Sequence, residues 1–330
     1  MASSRKSKSA KPMVDRNLGL EMVRVTEAAA IAAAGHLGQG DEQKVDLAAA
    51  RAMRKAIGRL SMGVTVVFAD GDEGGNPPLP AGTLLGTKGD PEMDIAALPV
   101  EGSSIVARGG VNAISVAVMA PSDSILPVPD IYMEKIAVGS HFGDVALDLD
   151  APPADLLKCL AKAKETEIDK ITACVLDRPR HGALIAALRE AGARVILIDD
   201  GDVSGAVATG WHETEIDVYL GTGGAREGVL AGAALLCLGG RMIGRLVPRD
   251  RDEEEAAKTA GFTDLTKIYT ETDMAGADVA FAATGITNGT VLSGVRHWDS
   301  VAITQSVCLR SASRTRRFVE THHDLLHKKF

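Results

Sequence analysis

Carboxylates, guanidinium groups and glycines are the residues of this chain with chemistry to offer, and they recur just after apolar runs. Asp46 stands after the glycine-rich break 38–40, Asp70 and Asp72 follow VTVVF (64–68), and Glu101 and Ser103 follow DIAAL (94–98) in PVEGSS (99–104). Arg178 and Arg180 follow KITACVLD (170–177), Asp200 and Asp202 follow RVILID (194–199), and Glu227 ends GTGGARE (221–227). Hard divalent cations take carboxylate oxygens, and Asp46, Asp70, Glu101 and Glu227 are placed to supply them. Arg178 and Arg180 offer planar forks for a phosphate. Gly223 and Gly224 let backbone N–H groups approach an anion at a helix start. Together these groups point to phosphate-ester hydrolysis by a metal-activated water.

Each piece also has a plainer reading. Asp46 fits a helix cap, Asp70 and Asp72 fit a turn, and the two arginines fit surface ion pairs. GTGGAREG is not a dinucleotide loop, because Arg226 stands where the third glycine belongs. PVEGSS is an active-site loop, the remnant of one, or an ordinary turn. Leu98 sits where a second carboxylate would make a better cation site.

The elements that must position these groups follow from hydrophobic spacing. Leu18, Met22, Val25, Ala29 and Ala33 recur at steps of three or four and predict a helix over 18–37. A second, alanine-rich helix is predicted from Asp46 to Leu60, with strands at 64–68, 93–98 and 112–120. Beyond the Pro/Asp stretch DLDAPPAD, strands at 170–177, 194–199 and 217–223 alternate with helices at 181–193, from Asp202, and at 225–240. Further strands are predicted at 277–287 and 300–311. Such alternation predicts a parallel sheet with helices on both faces, and ligands then bind past the carboxyl ends of the strands. The run HHDLLH (322–327) reads as a frayed tail.

Composition narrows the function further. The 330 residues carry a net charge of −8 with only 3% aromatics, which excludes non-specific nucleic-acid binding and leaves few stacking surfaces. Cys159, Cys174, Cys237 and Cys308 form no CxxC pair, so they read as buried free thiols rather than a zinc site. The start MASSRKSKSAKP lacks an apolar core, and no run of about 18 apolar residues exists to cross a membrane. Residues 1–15 read as a disordered basic tail.

The motifs PDIYMEK (129–135), LDRPRH (176–181), DGDV (200–203), YLGTGGAREGV (219–229) and FAATGIT (281–287), in this order, carry a resemblance. The chain resembles the class II fructose-1,6-bisphosphatases of bacteria, the glycerol-operon type, some of which also hydrolyse sedoheptulose 1,7-bisphosphate. The resemblance runs from about residue 16 to residue 323. It implies an α/β fold, a layered α/β/α sandwich of the sugar-phosphatase type with mixed sheets and helices between and outside. The Pro/Asp stretch DLDAPPAD (147–155) marks the boundary between an N-terminal metal-binding domain (16–150) and a C-terminal domain carrying substrate loops (151–330).

The resemblance also assigns roles. Glu101, Gly102, Ser103, Tyr132, Arg178, Pro179, Arg180, Asp200, Gly201, Asp202 and Gly224 match substrate-contacting positions. Asp46, Asp70, Glu101 and Glu227 match ligands of Mn²⁺ or Mg²⁺. Ser103 orients the attacking water, with Glu101 beside it as the second catalytic group. A sugar bisphosphate is the implied partner, in a cytoplasmic homo-oligomer, dimer or tetramer, serving gluconeogenesis or carbon fixation. The departures cluster on the metal side. ADGD (69–72) replaces the family's GEGE, and GDEQKVD (40–46) strays from its lysine- and asparagine-containing form. LPVEGS (98–103) replaces DPxEGT, so Leu98 stands for a metal-binding aspartate. The competing reading is a non-catalytic paralogue that binds sugar phosphate as a sensor or partner subunit.

Overall fold

The computed structural model describes residues 18–69, 77–87, 92–276 and 278–328. The basic tail and Asp70, Asp72 and Glu73 lie outside the described residues. The chain opens with α1 (Leu18–Ala34) and α2 (Glu42–Ile57), then β1 (Gly63–Ala69), β2 (Leu84–Gly86), β3 (Glu92–Glu101), α3 (Ser103–Arg108), β4 (Ile114–Pro121) and β5 (Tyr132–Val138). Next come α4 (Pro153–Ala163), β6 (Thr172–Leu176), α5 (Gly182–Glu190), β7 (Arg194–Ile198), α6 (Asp202–Ala208), β8 (Val218–Gly224), α7 (Ala225–Leu238) and β9 (Arg241–Val247). The last elements are α8 (Arg251–Thr259), β10 (Ile268–Thr270), α9 (Glu271–Ala275), β11 (Ala280–Gly285), β12 (Arg296–Trp298), β13 (Val301–Arg310) and β14 (Thr315–Asp324).

Two mixed sheets result. The first has the order β12-β13-β11-β4-β3-β1-β2, with β14 paired to β13, and the second β10-β9-β5-β8-β6-β7. The expected parallel sheet is corrected here. Among the described strands only β1–β3, β6–β7 and β6–β8 pair parallel. The reason is burial. Residues 93–101 of β3 are all buried, and a strand covered on both faces shows a continuous apolar run whichever way its neighbour points.

The layers follow from which side chains share a face. In the first sheet Val64, Val66, Met93, Ile95 and Ala97 pack under α1 and α2. Ala96, Leu98, Val116, Val118 and Phe281 face the other way, onto α6, α7 and α9. In the second sheet Met133, Ala137 and Tyr219 join that same central core. Ile136, Val138, Val218 and Leu220 face outward onto α4 and α5. Helices therefore lie between the sheets and outside both of them. No helix among the described residues is long and apolar enough to cross a membrane.

Three further expectations are corrected. Asp46 does not start its helix; α2 begins at Glu42, and Asp41 is the cap, accepting the Lys44 N–H at 3.0 Å. The run HHDLLH is no frayed tail, because β14 pairs with β13 from Thr315 to Asp324 and buries His323 opposite Ala302. Its solvent face is so polar that an edge strand reads as a tail. Cys159 is exposed, whereas Cys174, Cys237 and Cys308 are buried free thiols.

Gly86 closes the β1–β2 pair with φ +75°, and a Cβ there would overlap the Met62 carbonyl oxygen. Gly86→Ala is therefore expected to lower unfolding free energy by about 2 kcal/mol or more, read by urea denaturation.

Candidate active site

A cavity of about 330 Å³ opens where the two sheets present the ends of β3, β6 and β8 and the start of β5. Its walls include Asp46, Glu101, Gly102, Ser103, Tyr132, Arg178, Arg180, Asp200, Asp202, Gly224 and Glu227. The structure thus brings together every described candidate except Pro179 and Gly201. Those two shape the backbone: Pro179 opens a 3₁₀ turn, and Gly201, at φ +96°, precedes α6. Asp70 lies outside the described residues.

The loop PVEGSS owes its shape to a bulge. Leu98 pairs with Val116 and Glu101 with Ile114, so Pro99 and Val100 together oppose Ser115 alone. A bulge re-aims the side chains that follow it. Before it, odd-numbered residues of β3 face α1 and α2; after it, Val100 takes that side and Glu101 turns to the central layer. There Glu101 accepts N–H bonds from Val203 at 2.5 Å and Ser204 at 3.2 Å, and the Ser204 hydroxyl at 2.9 Å. Glu101 is only 4% exposed, and burial pushes its carboxyl up to about 8, with Asp200 and Asp202 adding to the rise. Gly102, at φ +90°, then turns the chain into α3 and points the Ser103 hydroxyl at Asp46, to which it donates.

The opposite wall belongs to the second sheet. Lys135 shares the inward face of β5 with Met133 and Ala137, and its ammonium is 1% exposed. It donates to Asp202 and to the Gly224 carbonyl at 2.8 Å, and the Tyr219 hydroxyl donates to the other Asp202 oxygen. A buried charge needs such pairing. The Tyr132 ring meets the guanidinium groups of Arg180 and Arg249, each 4.7 Å from its centroid. A Cβ on Gly223 would meet the Asp202 carboxylate, which Lys135 and Tyr219 hold in place, and one on Gly224 would displace the Glu227 carboxylate.

Sequence reasoning missed Lys135, Tyr219, Ser104 and Glu42. Ser104 donates to Asp200 at 3.4 Å, and Glu42 lines the cavity one helical turn before Asp46. Parity on β5 was the available signal for Lys135, had that strand been recognised.

The described residues alone do not close a metal site. Among them no three His, Cys, Asp or Glu side chains converge as a metal-holding group. Leu98 packs into the central core, and each Glu101 oxygen accepts a hydrogen bond from α6.

Two outcomes follow from the buried groups. Lys135→Met leaves Asp202 buried without its cation and is expected to cost about 3–5 kcal/mol in denaturant titration, with Lys135→Met/Asp202→Asn recovering most of it. Glu101 holds its proton more tightly folded than unfolded, so stability falls as pH rises from the ordinary carboxyl value toward 8. Glu101→Gln should flatten that decline in melting temperature between pH 5 and about 8.

Comparison with known proteins gives the chain its relatives. The family model described as bacterial fructose-1,6-bisphosphatase, glpX-encoded, matches residues 16–323. Two relatives named D-fructose 1,6-bisphosphatase class 2/sedoheptulose 1,7-bisphosphatase, from Synechococcus sp. strains JA-2-3B'a(2-13) and JA-3-3Ab, are each 38% identical over 94% of this chain and 96% of their own length. A protein of the same name from Crocosphaera subtropica is 36% identical over 94% of the chain and 97% of its own length. With matches of this extent, the chain belongs to the glpX-type bacterial fructose-1,6-bisphosphatase family.

Proposed function

We propose that this protein hydrolyses the 1-phosphate of fructose 1,6-bisphosphate, and of sedoheptulose 1,7-bisphosphate as a second substrate. One observation carries the reading: the cavity sets Arg178, Arg180 and the Gly223–Gly224 turn at the start of α7 opposite the contact between Ser103 and Asp46. The guanidinium forks and the α7 amides take phosphate oxygens. Tyr132 stacks beside them, and Asp200 and Asp202 border the sugar. Because Ser103 donates its proton to Asp46, its oxygen faces the cavity as an acceptor and orients a water toward phosphorus. The water oxygen bonds to phosphorus as the bond to the sugar oxygen breaks, one water proton ends on the departing sugar oxygen, which leaves as a hydroxyl, and the guanidinium groups offset the charge on the phosphoryl oxygens.

The family is metal-dependent in general. Mn²⁺ or Mg²⁺ is the proposed ion, with Asp46, Asp70, Glu101 and Glu227 as the proposed carboxylates. Bound there, the ion supplies positive charge that the cavity lacks, since six carboxyl side chains face two guanidinium groups. A homo-oligomer in the cytoplasm, and a division of labour between residues 16–150 and 151–330, complete the proposal. The reading as a non-catalytic sugar-phosphate sensor has Leu98 as its one argument, and the relatives, named as phosphatases, lend it no support.

The test is phosphate release from fructose 1,6-bisphosphate with Mn²⁺ or Mg²⁺ titrated in, beside a Leu98→Asp variant. The native chain is expected to release phosphate only when the ion is present. A silent native chain beside an active Leu98→Asp variant would sink the catalytic reading and restore the sensor.

A further inference from the structure

β6 and β8 lie side by side but pair only at Ala173↔Val218 and Cys174↔Tyr219. Past that point the buried His181 ring stands between them. Its Nε2 accepts the Thr222 N–H at 2.8 Å, and its Nδ1 lies 2.8 Å from the Leu176 carbonyl. An amide can only donate, so Nε2 carries no proton, and Nδ1–H donates to Leu176. A strand residue points its N–H and C=O to the same edge, and the neighbouring Arg180 completes that edge: its Nε donates to the Thr222 carbonyl at 2.8 Å. Two consecutive side chains thus meet both polar backbone atoms of Thr222, as a strand would. Gly221, at φ +141°, has no room for a Cβ, which would sit 3.0 Å from Nε2.

We infer that His181 is a positioning residue, a spacer that replaces β6 as the partner of β8 and fixes Arg180, Thr222 and the Gly223–Gly224 turn as one phosphate cradle. The identity of the phosphate ester rests on the proposed function; the cradle does not. A strand continued in register would close the gap that the cradle needs. An apolar side chain of similar size would leave the half-buried Thr222 amide without an acceptor. Burial favours the neutral ring that this bridge requires.

Three substitutions separate the two arms of the ring. The carbonyl of His181→Gln reaches the Nε2 position and retains the Thr222 arm. The amide of His181→Asn reaches only the Nδ1 position and retains the Leu176 arm. His181→Ala loses both. The readouts are calorimetric affinity for inorganic phosphate, and KM and kcat for fructose 1,6-bisphosphate. Asn and Ala should weaken phosphate binding roughly tenfold and raise KM more than they lower kcat, with Gln within about threefold of the native chain. Equal phosphate binding by all four proteins, rescue by Asn but not Gln, or a native chain that binds no phosphate would each overturn the inference. A native chain that binds phosphate but leaves fructose 1,6-bisphosphate intact would overturn the proposed function alone, and the order of phosphate affinities would still decide the role of His181.

Discussion

A single carboxyl joins the two halves of the cavity. Glu101 ends a strand of the first sheet and accepts the amides at the start of α6, the helix whose first residue, Asp202, is gripped by Lys135 and Tyr219 of the second sheet. Cavity-lining groups from both sheets are therefore referenced to one short helix. Burial of the Glu101 carboxyl with three donors makes the link costly to break, because the amides of α6 would be left without partners. The bulge at Pro99 and Val100 exists in the service of this link. A regular strand would send Glu101 to the face of α1 and α2.

Much of the cavity was legible in the sequence because charged residues stop apolar runs. Glu101, Arg178, Asp200 and Gly223 each stand within a few residues of a strand end, and the fold brings those ends together. What was hidden shares a physical cause. Lys135 looks like a solvent residue until Asp202, 67 positions away, supplies its counter-charge. Asp46 looks like a cap because it lies one turn inside its helix, with another aspartate, Asp41, just before it. β14 looks like a tail because its outward face carries arginine, glutamate and histidine. Strand direction was hidden wherever both faces are buried, since alternation vanishes there.

The cavity also shows what the departures from the family pattern do locally. Leu98 is both a wall of the cavity and a member of the central core, in contact with the packing of Val116 and Val118. The apolar side chain is thus satisfied by its surroundings rather than stranded in a polar site. On the opposite wall Arg180 and the buried Lys135 have partners that fit them, the Thr222 carbonyl and Asp202. The asymmetry of the sequence, altered on the carboxylate side and regular on the arginine side, is an asymmetry between the two sheets.

The topology places the two sheets differently in time. Strands β5 to β10, all of the second sheet, leave the ribosome in one uninterrupted stretch. The first sheet begins earlier, with β1 to β4, and is completed only when β11 to β14 emerge. Until then the edge of β4 that will receive β11 is bare, and the apolar face over which α7 must close has no Phe281 or Val307. An unpaired, largely apolar strand edge is a hazard for association between nascent chains. Residues 280–324 therefore act as a latch, and their late arrival makes the first sheet the place where synthesis, rather than chemistry, sets the risk.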